Sequence, residues 1–154
     1  MGISSSTAVD TARILAQLKA GAPALLAQYP VRLAYVYGSV ARGQATPLSD
    51  VDVGVLFDET LSDYDQFKSA LRLACRLQDV VETQLEVEAR VMNTMSIDIL
   101  GAIVTEGVCL YARSDADREA YEKPIRQMYA SRRAEARRKA RRNLLRMLEL
   151  GLEA

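Results

Sequence analysis

Residues 36–43 (VYGSVARG) and residues 50–53 (DVDV) decide the fold of this chain. The apolar run 31–37 predicts a β-strand, and the Gly38-Ser39 pair that ends it predicts a tight turn opening a helix. The first N–H groups of a helix have no partner within the helix, and the helix dipole favours negative charge at that end. The stretch therefore predicts a binding site for phosphate oxygens at Gly38 and Ser39.

Asp50 and Asp52 supply negative charge, opposite to that of the predicted helix N-terminus, at the start of the apolar run 50–57. Alternate side chains of a β-strand point to the same face, so both carboxylates should lie on one side of the sheet. Two carboxylates held close together repel, and one is driven toward protonation unless a cation lies between them. Mg²⁺ prefers carboxylate, water and phosphate oxygens as ligands. The pair therefore predicts a magnesium site facing the phosphate-binding turn.

Together these residues carry a family resemblance. Gly38-Ser39, ten residues, and then Asp50-x-Asp52 resembles the signature of the nucleotidyltransferase superfamily related to DNA polymerase β. Residues 38–43 are similar to those of its minimal members, the MNT proteins, which are typically encoded beside a HEPN toxin. The resemblance covers residues 24–112 and implies an α+β fold, a small mixed β-sheet with helices packed on it, as in polymerase β-like enzymes.

A third carboxylate is expected on the neighbouring strand. The family takes a third acid, usually aspartate, from the strand beside the Asp-x-Asp strand, and residues 84–92 predict such a strand with Glu86, Glu88 and Arg90 on one face. Spacing back from Glu106 puts Glu88 at the family position. Glutamate is one methylene longer than aspartate, so Glu86 on the same face remains an alternative, as does an exposed edge strand with no role in catalysis.

The resemblance implies an activity and a set of site residues. MNT antitoxins transfer AMP from ATP to a tyrosine hydroxyl of a HEPN ribonuclease toxin and so neutralise it. Carried onto this sequence, the catalytic and metal-binding residues are Asp50, Asp52 and Glu88, holding Mg²⁺ in a two-metal site, and the nucleotide-binding residues are Gly38, Ser39, Arg42 and Ser49. Because the chain contains no histidine, the carboxylates and metal ions must manage the proton.

Two other functions stay open at this point. One is a nucleotidyltransferase acting on a small molecule, of the aminoglycoside-modifying type. The other is an antitoxin that acts by binding alone, with a vestigial site. The small size of the chain favours a protein acceptor, because a small-molecule enzyme would normally need more protein to hold its acceptor.

The domain organisation follows from length and pattern. A chain of 154 residues with 49% hydrophobic content has enough apolar surface for one core. We expect a nucleotidyltransferase domain over residues 1–112, with helices in 1–29 and the catalytic core in 30–112, followed by a basic helical extension over 113–154. Gly21 and Pro23 predict a break between two N-terminal helices.

Charge is unevenly distributed along the chain. Residues 1–125 hold 11 Lys and Arg against 17 Asp and Glu, whereas residues 126–146 hold nine basic residues and Glu135 alone. The pattern predicts a long last helix, about 115–150, whose segment 131–142 has no apolar residue larger than alanine. This segment is either solvated or a docking surface. A HEPN toxin in a hetero-oligomer is the expected partner; nucleic acid is possible but not favoured.

The remaining predictions concern packing and location. Residues 62–78 predict an amphipathic helix that covers the core with Phe67, Leu71 and Leu77. Cys75 and Cys109 lie in apolar surroundings and are expected to be buried, reduced thiols. Since residues 1–7 do not resemble a signal peptide and no apolar run reaches membrane-spanning length, we expect a cytoplasmic protein without membrane contact.

Overall fold

The computed structural model describes residues 8–151, which form a four-stranded mixed sheet and its covering helices. The elements in chain order are α1 (Thr11–Leu26), β1 (Val31–Tyr37), β2 (Val51–Phe57), α2 (Asp63–Gln78), β3 (Val87–Val91), a 3-10 turn (Met92–Thr94), α3 (Ile97–Glu106), β4 (Val108–Ala112) and α4 (Asp115–Glu149). The strand order is β3-β2-β1-β4, with β1 antiparallel to both β2 and β4, and β2 parallel to β3. The predicted α+β fold, mixed sheet and long last helix are confirmed.

The sheet separates two apolar cores, and the alternation of side chains decides which residues enter each. On one face, valines of β2 at positions 51, 53 and 55 pack with Leu18 of α1 and Leu73 of α2. On the other face, Leu56 of β2 packs with Ile103 of α3 and Ile125 of α4. Asp52 alternates with the valines, so its side chain lies on the face that α3 and α4 cover.

A single N-terminal helix replaces the two that were predicted. Helix α1 runs through both Gly21 and Pro23 and buries Leu25 and Leu26 at its end. An interior proline costs a helix about 3 kcal/mol, and burial of two leucines at about 1.5–3 kcal/mol each offsets that cost. Gly21 does not break the helix. Its lack of a side chain lets α1 pack closely against Val80, because a Cβ there would lie 2.6 Å from Cγ1 of Val80.

Helix α2 covers the sheet as predicted, and Leu77 is buried as expected, but the rest of its buried face differs from the prediction. Ser62 caps it by accepting a hydrogen bond from the N–H of Asp65 at 3.2 Å. Its buried residues are Gln66, Ala70, Leu73 and Leu77, whereas Phe67 and Leu71 are exposed. Cys75 lies on the exposed face of the helix, so the prediction that this thiol is buried was wrong. Cys109, on β4, is half-buried. The buried residues follow one stripe at helical spacing, which leaves positions 67, 71 and 75 on the solvent side.

Helix α4 is attached to the sheet over its first half. Arg32 of β1 donates to both carboxylate oxygens of Asp117, at 3.2 and 2.8 Å, and the Tyr35 hydroxyl donates to Glu122 at 2.6 Å. Close approach of α3 and α4 requires Gly101, because a Cβ there would lie 2.1 Å from the Tyr129 ring.

The second half of α4 is exposed on nearly all sides, as the charge pattern predicted. Arg132 donates two hydrogen bonds to Asp98 of α3, each 2.9 Å long. Arg137, Arg138 and Arg141 form no ion pair with any residue in 8–151. Within the same range, no helix is both long and apolar enough to cross a membrane.

Candidate active site

The glycine turn after β1 differs from the predicted helix N-terminus. Residues 38–43 form a compact turn in which the N–H of Arg42 donates to the Gly38 carbonyl at 3.2 Å and that of Gln44 donates to the Ser39 carbonyl at 2.8 Å. Gly38 has φ +76°, a conformation that side chains with a Cβ rarely adopt. The fully buried Val40 anchors the turn in the core. The prediction of a helix starting here was therefore wrong, although the tight backbone bend is present.

The two halves of the motif meet at Gly38. A Cβ built on Gly38 would lie 2.7 Å from Oδ2 of Asp52, a distance that no real Cβ contact tolerates. Antiparallel pairing of Tyr37 with Asp52 produces this approach, since Gly38 directly follows Tyr37. The backbone angle favours glycine at position 38, and a Cβ there would displace the Asp52 carboxylate.

The third predicted acid lies on the adjacent strand. The register pairs Asp52 of β2 with Glu88 of β3, on strands about 4.8 Å apart. Tyr37, Asp52 and Glu88 consequently occupy neighbouring positions across three strands. The carboxylate of Glu88 accepts a hydrogen bond from Nη2 of Arg90 at 3.0 Å. Glu86 lies before the start of β3 and is exposed, and its backbone carbonyl accepts from the N–H of Val51 at 2.9 Å.

Burial and the neighbouring charges shift the pKa values of Asp52 and Tyr37. Burial raises the pKa of Asp52, and the charges of Glu88 and Asp50 raise it further, while Arg90 and Arg42 lower it. Burial also raises the pKa of Tyr37, with a further contribution from Asp52. Such a cluster of carboxylates on a partly buried surface favours a bound cation, because a cation relieves their mutual repulsion.

The other predicted residues surround this centre. Arg42 is exposed on the turn, with Nη1 3.8 Å from Oε2 of Glu106 at the end of α3. The Ser49 hydroxyl accepts from the N–H of Thr46 at 2.9 Å and so holds its own loop together. Asp50 is half-buried directly before β2, close enough to Asp52 to influence its pKa. Their roles in nucleotide binding stay predictions.

The donor set fits a magnesium ion at Asp50 and Asp52, whose oxygen ligands are of the type that Mg²⁺ prefers. In the described part of the chain, no three acidic, histidine or cysteine side chains lie in an arrangement that could hold a metal ion. The Glu88 carboxylate is instead paired with Arg90, whose Nη2 lies 3.0 Å from Oε2 of Glu88. Participation of Glu88 would require this pair to separate.

Tyr37 and Arg90 are the site residues that sequence reasoning did not assign. Arg90 was placed on the same face as Glu88, and its period-two spacing could have indicated the ion pair. For Tyr37 the signal is weaker, because its proximity to Asp52 depends on the antiparallel register between β1 and β2. That register is not visible in the sequence.

Solved structures of known proteins share the fold of this chain. A crystal structure of a toxin-antitoxin MntA-HpeT mutant has a TM-score of 0.56 at 21% sequence identity, covering 88% of this chain and 99% of the other. A toxin-antitoxin crystal structure with AMP-PNP has a TM-score of 0.55 at 23% identity, with coverage of 88% and 99%. A third, of a tri-AMPylated Shewanella oneidensis HEPN toxin in complex with MNT antitoxin, has a TM-score of 0.51 at 22% identity, with coverage of 87% and 95%.

These likenesses concern the fold, since all three identities are low. No curated protein sequence is significantly similar to this chain. Residues 23–116, which include the glycine turn, both aspartates and Glu88, match the family described as Polymerase beta, Nucleotidyltransferase. With more than half of its length matched, and with the two halves of the motif in contact in the structure, the chain belongs to the polymerase beta nucleotidyltransferase family.

Proposed function

We propose that this protein is a metal-dependent adenylyltransferase that acts as an antitoxin, transferring AMP from ATP to a tyrosine hydroxyl of a HEPN ribonuclease partner. The observation that carries the proposal is the contact between the Asp52 carboxylate and Gly38. It brings a candidate phosphate-binding turn and a candidate metal ligand into one site.

Each residue has a defined role in this reaction. The turn at Gly38 and Ser39 allows phosphate oxygens to approach the backbone closely, because Gly38 carries no side chain. Asp50 and Asp52 would hold Mg²⁺, which neutralises charge that develops on the leaving pyrophosphate. The acceptor oxygen would form a bond to the α-phosphorus while the bond from that phosphorus to the bridging oxygen breaks, releasing pyrophosphate, and the hydroxyl proton would pass to a carboxylate of the site and then to solvent.

Glu88 is proposed to act on the acceptor side of the site. Its position opposite Asp52 places the Glu88 carboxylate on the same face of the sheet as that of Asp52. Once released from Arg90, it could help to hold a second metal ion that lowers the pKa of the acceptor hydroxyl. Arg90 would then be free to contact a phosphate oxygen, since the guanidinium fork matches the geometry of both carboxylates and phosphates.

The acceptor is inferred from the protein families involved. Structures that share the fold include a tri-AMPylated HEPN toxin in complex with MNT antitoxin and a toxin-antitoxin with AMP-PNP. We carry these properties to the present chain as a proposal. A HEPN partner, ATP as substrate and a hetero-oligomer in the cytoplasm follow from the same argument.

Label transfer tests the proposal and separates it from the alternatives. The chain is incubated with α-labelled ATP, Mg²⁺ and either the HEPN-like protein encoded beside it or a panel of aminoglycosides. We expect label on the protein and none on the small molecules. Asp79→Asn serves as the matched control for Asp52→Asn, because Asp79 is an exposed aspartate at the end of α2. Label on an aminoglycoside would favour the small-molecule alternative, and no label on either would favour an antitoxin that only binds.

A further inference from the structure

Helix α2 has an apolar stripe on the side opposite to the sheet. Its large members are Tyr64, Phe67 and Leu71, which are 68%, 57% and 53% exposed. They are three and four residues apart, so they lie on one side of the helix, and the exposed Cys75 continues the line by one turn. A contiguous apolar patch of this kind marks an interaction surface. We call residues 64, 67, 71 and 75 the outer face of α2.

Charge is polarised along the same helix. Asp63 and Asp65 occupy its first turn, whereas Arg72 and Arg76 lie in its last two turns. Asp65 and Arg72 are seven residues apart, about two turns, so both flank the outer face on the same side. Both are exposed, and neither forms an ion pair with any residue in 8–151. A complementary surface therefore carries a basic group opposite Asp65 and an acidic group opposite Arg72.

A second copy of α2 in antiparallel orientation has this pattern. A two-fold axis midway between Phe67 and Leu71 places Phe67 of each copy against Leu71 of the other. In that register Asp65 lies within about one residue, or roughly 1.5 Å along the helix axis, of Arg72 of the second copy. The symmetry repeats this ion pair at the other end. A parallel pair would instead place like charges side by side, which is unfavourable.

The surface relief of α2 agrees with antiparallel pairing. A depression of about 390 Å³ is lined by Tyr29 and by four residues of α2, namely Leu71, Arg72, Cys75 and Arg76. In the register given above, Tyr64 of the second copy lies opposite positions 74 and 75, which are an alanine and the cysteine. The small side chains there leave room for the tyrosine ring. Each copy thus contributes one protruding ring and one depression.

The exposed area is sufficient for a reversible dimer. Large side chains of this kind present about 150–250 Å² each, and more than half of Tyr64, Phe67 and Leu71 is exposed, so two copies would bury roughly 700 Å² of apolar surface. With the flanking charged side chains the total approaches about 1,200 Å², the lower end of specific interfaces. An interface of this size predicts association at micromolar concentrations.

We propose that the chain forms a two-fold dimer through the outer face of α2, with the two helices antiparallel and Asp65 of each copy paired with Arg72 of the other. The proposal does not depend on the proposed function. Helix α2 packs on one face of the sheet, whereas Asp52 lies on the face that α3 and α4 cover. Both active sites of the dimer are therefore distant from the interface.

Sedimentation velocity of the full chain in reducing buffer tests the dimer at about 1–200 µM protein. We expect the sedimentation coefficient to rise with concentration from the monomer to the dimer value. Phe67→Ser and Leu71→Ser should each weaken association at least about tenfold. Leu48→Ser is the matched control, because Leu48 is 96% exposed on the loop before β2, and it should not change association. All three side chains are exposed, and thermal unfolding checks that the variants fold.

A charge exchange tests the antiparallel register. Asp65→Arg and Arg72→Asp should each weaken association about fivefold or more at low salt, and the variant that combines them should restore it. Within one helix these positions are two turns apart and do not contact each other, so restoration reports a contact between copies.

Four results would overturn the proposal. They are a chain that stays monomeric up to about 200 µM, a dimer that Phe67→Ser leaves intact, a combined variant no tighter than either single variant, and a monomeric chain whose binding to the HEPN-like partner is weakened by Phe67→Ser. The last result would assign the outer face of α2 to that partner.

Discussion

The two charged regions of this chain differ in how the fold holds them. At the active site, Asp52 and Glu88 are fixed by strand pairing on a partly buried surface, and the pKa of Asp52 is raised there. In segment 131–142 of α4, the charges lie on an exposed helix, and Arg132 is tied to the body through Asp98. Strand pairing keeps the carboxylates of the first group close together despite their repulsion, which is typical of a catalytic or metal-binding site. The fold spreads the second group over a surface, which suits recognition of a partner.

The largest expected effect comes from removing the charge at the centre of the fixed group. Asp52→Asn should reduce AMP transfer at least about 100-fold, because it removes a proposed metal ligand and electrostatic stabilisation at the reacting phosphate. Label transfer from α-labelled ATP measures the loss, with Asp79→Asn as the control. Activity near wild type in Asp52→Asn would remove the proposed metal site.

The same variant should have the opposite effect on stability. A carboxyl whose pKa is raised in the folded state contributes stability below its unfolded pKa, and this contribution is lost as pH rises through the raised folded value. The raised pKa means that ionisation of Asp52 opposes folding, and asparagine cannot ionise, so Asp52→Asn should raise Tm in magnesium-free buffer at pH values where Asp52 is charged. Mg²⁺ should raise the Tm of wild type but not of the variant. A lower Tm for Asp52→Asn would show that the carboxylate has a stabilising partner.

The next effect separates backbone strain from contact with the carboxylate. Gly38 and Gly43 have similar φ values, +76° and +69°, but a Cβ at Gly43 would meet nothing closer than Thr11 Oγ1 at 3.8 Å. Both alanine variants should lose roughly 1 kcal/mol of stability from strain. Gly38→Ala should in addition lower transfer about tenfold or more, since it displaces Asp52. Label transfer measures the activity of each variant, and thermal unfolding measures its stability. Equal activities of the two variants would show that the contact with Asp52 has no role.

A smaller effect tests the choice of third acid. Glu88→Gln should lower the initial rate about tenfold or more, whereas Glu86→Gln should stay close to wild type, because Glu88 lies opposite Asp52 and Glu86 lies outside the strand. Initial rates of AMP transfer at saturating ATP provide the comparison. The reverse ranking would mean that Glu86 reaches the site and that Glu88 belongs to its ion pair with Arg90.

The smallest effect on chemistry, and the largest on association, is expected from the spread charges. Reversing Arg137, Arg138 and Arg141 to Glu should weaken binding to the HEPN-like partner about tenfold at low salt and less at high salt, since exposed charges are screened over about 8 Å. ATP binding should not change. Calorimetric titration at two salt concentrations measures both. Equal affinities throughout would make this segment a solvated helix, and tight binding to RNA would indicate a nucleic-acid role.

Much of the fold could be predicted because local signals determine it. The spacings Ser62-x-x-Asp65 and Ser114-x-x-Asp117 are typical of helix N-termini, and in the structure each serine hydroxyl accepts a hydrogen bond from the N–H of that aspartate. The features that the sequence predicted wrongly depend on packing between segments that are distant along the chain. The helix continues past Pro23 because Leu25 and Leu26 are buried, which no local rule reveals. The inner face of α2 could not be chosen from two apolar stripes of similar length.

The candidate site was predictable in composition but not in arrangement. Spacing selects Asp50, Asp52 and Glu88 as the candidate acids, because strand periodicity and the motif are local features. The contact of Gly38 with Asp52 depends on the register of β1 against β2. The pairing of Glu88 with Arg90 depends on rotamers and on the charges around them. Such features are properties of the assembled sheet.

The central claim is that Asp52 and its neighbours transfer AMP to a protein tyrosine, and the intact mass of the partner tests it most directly. The HEPN-like protein is co-expressed with wild-type chain or with Asp52→Asn, purified, and examined by mass spectrometry with peptide mapping. The account predicts AMP on a tyrosine of the partner with wild type and an unmodified partner with Asp52→Asn. An unmodified, yet neutralised, partner in both cases would contradict it and establish an antitoxin that acts by binding alone.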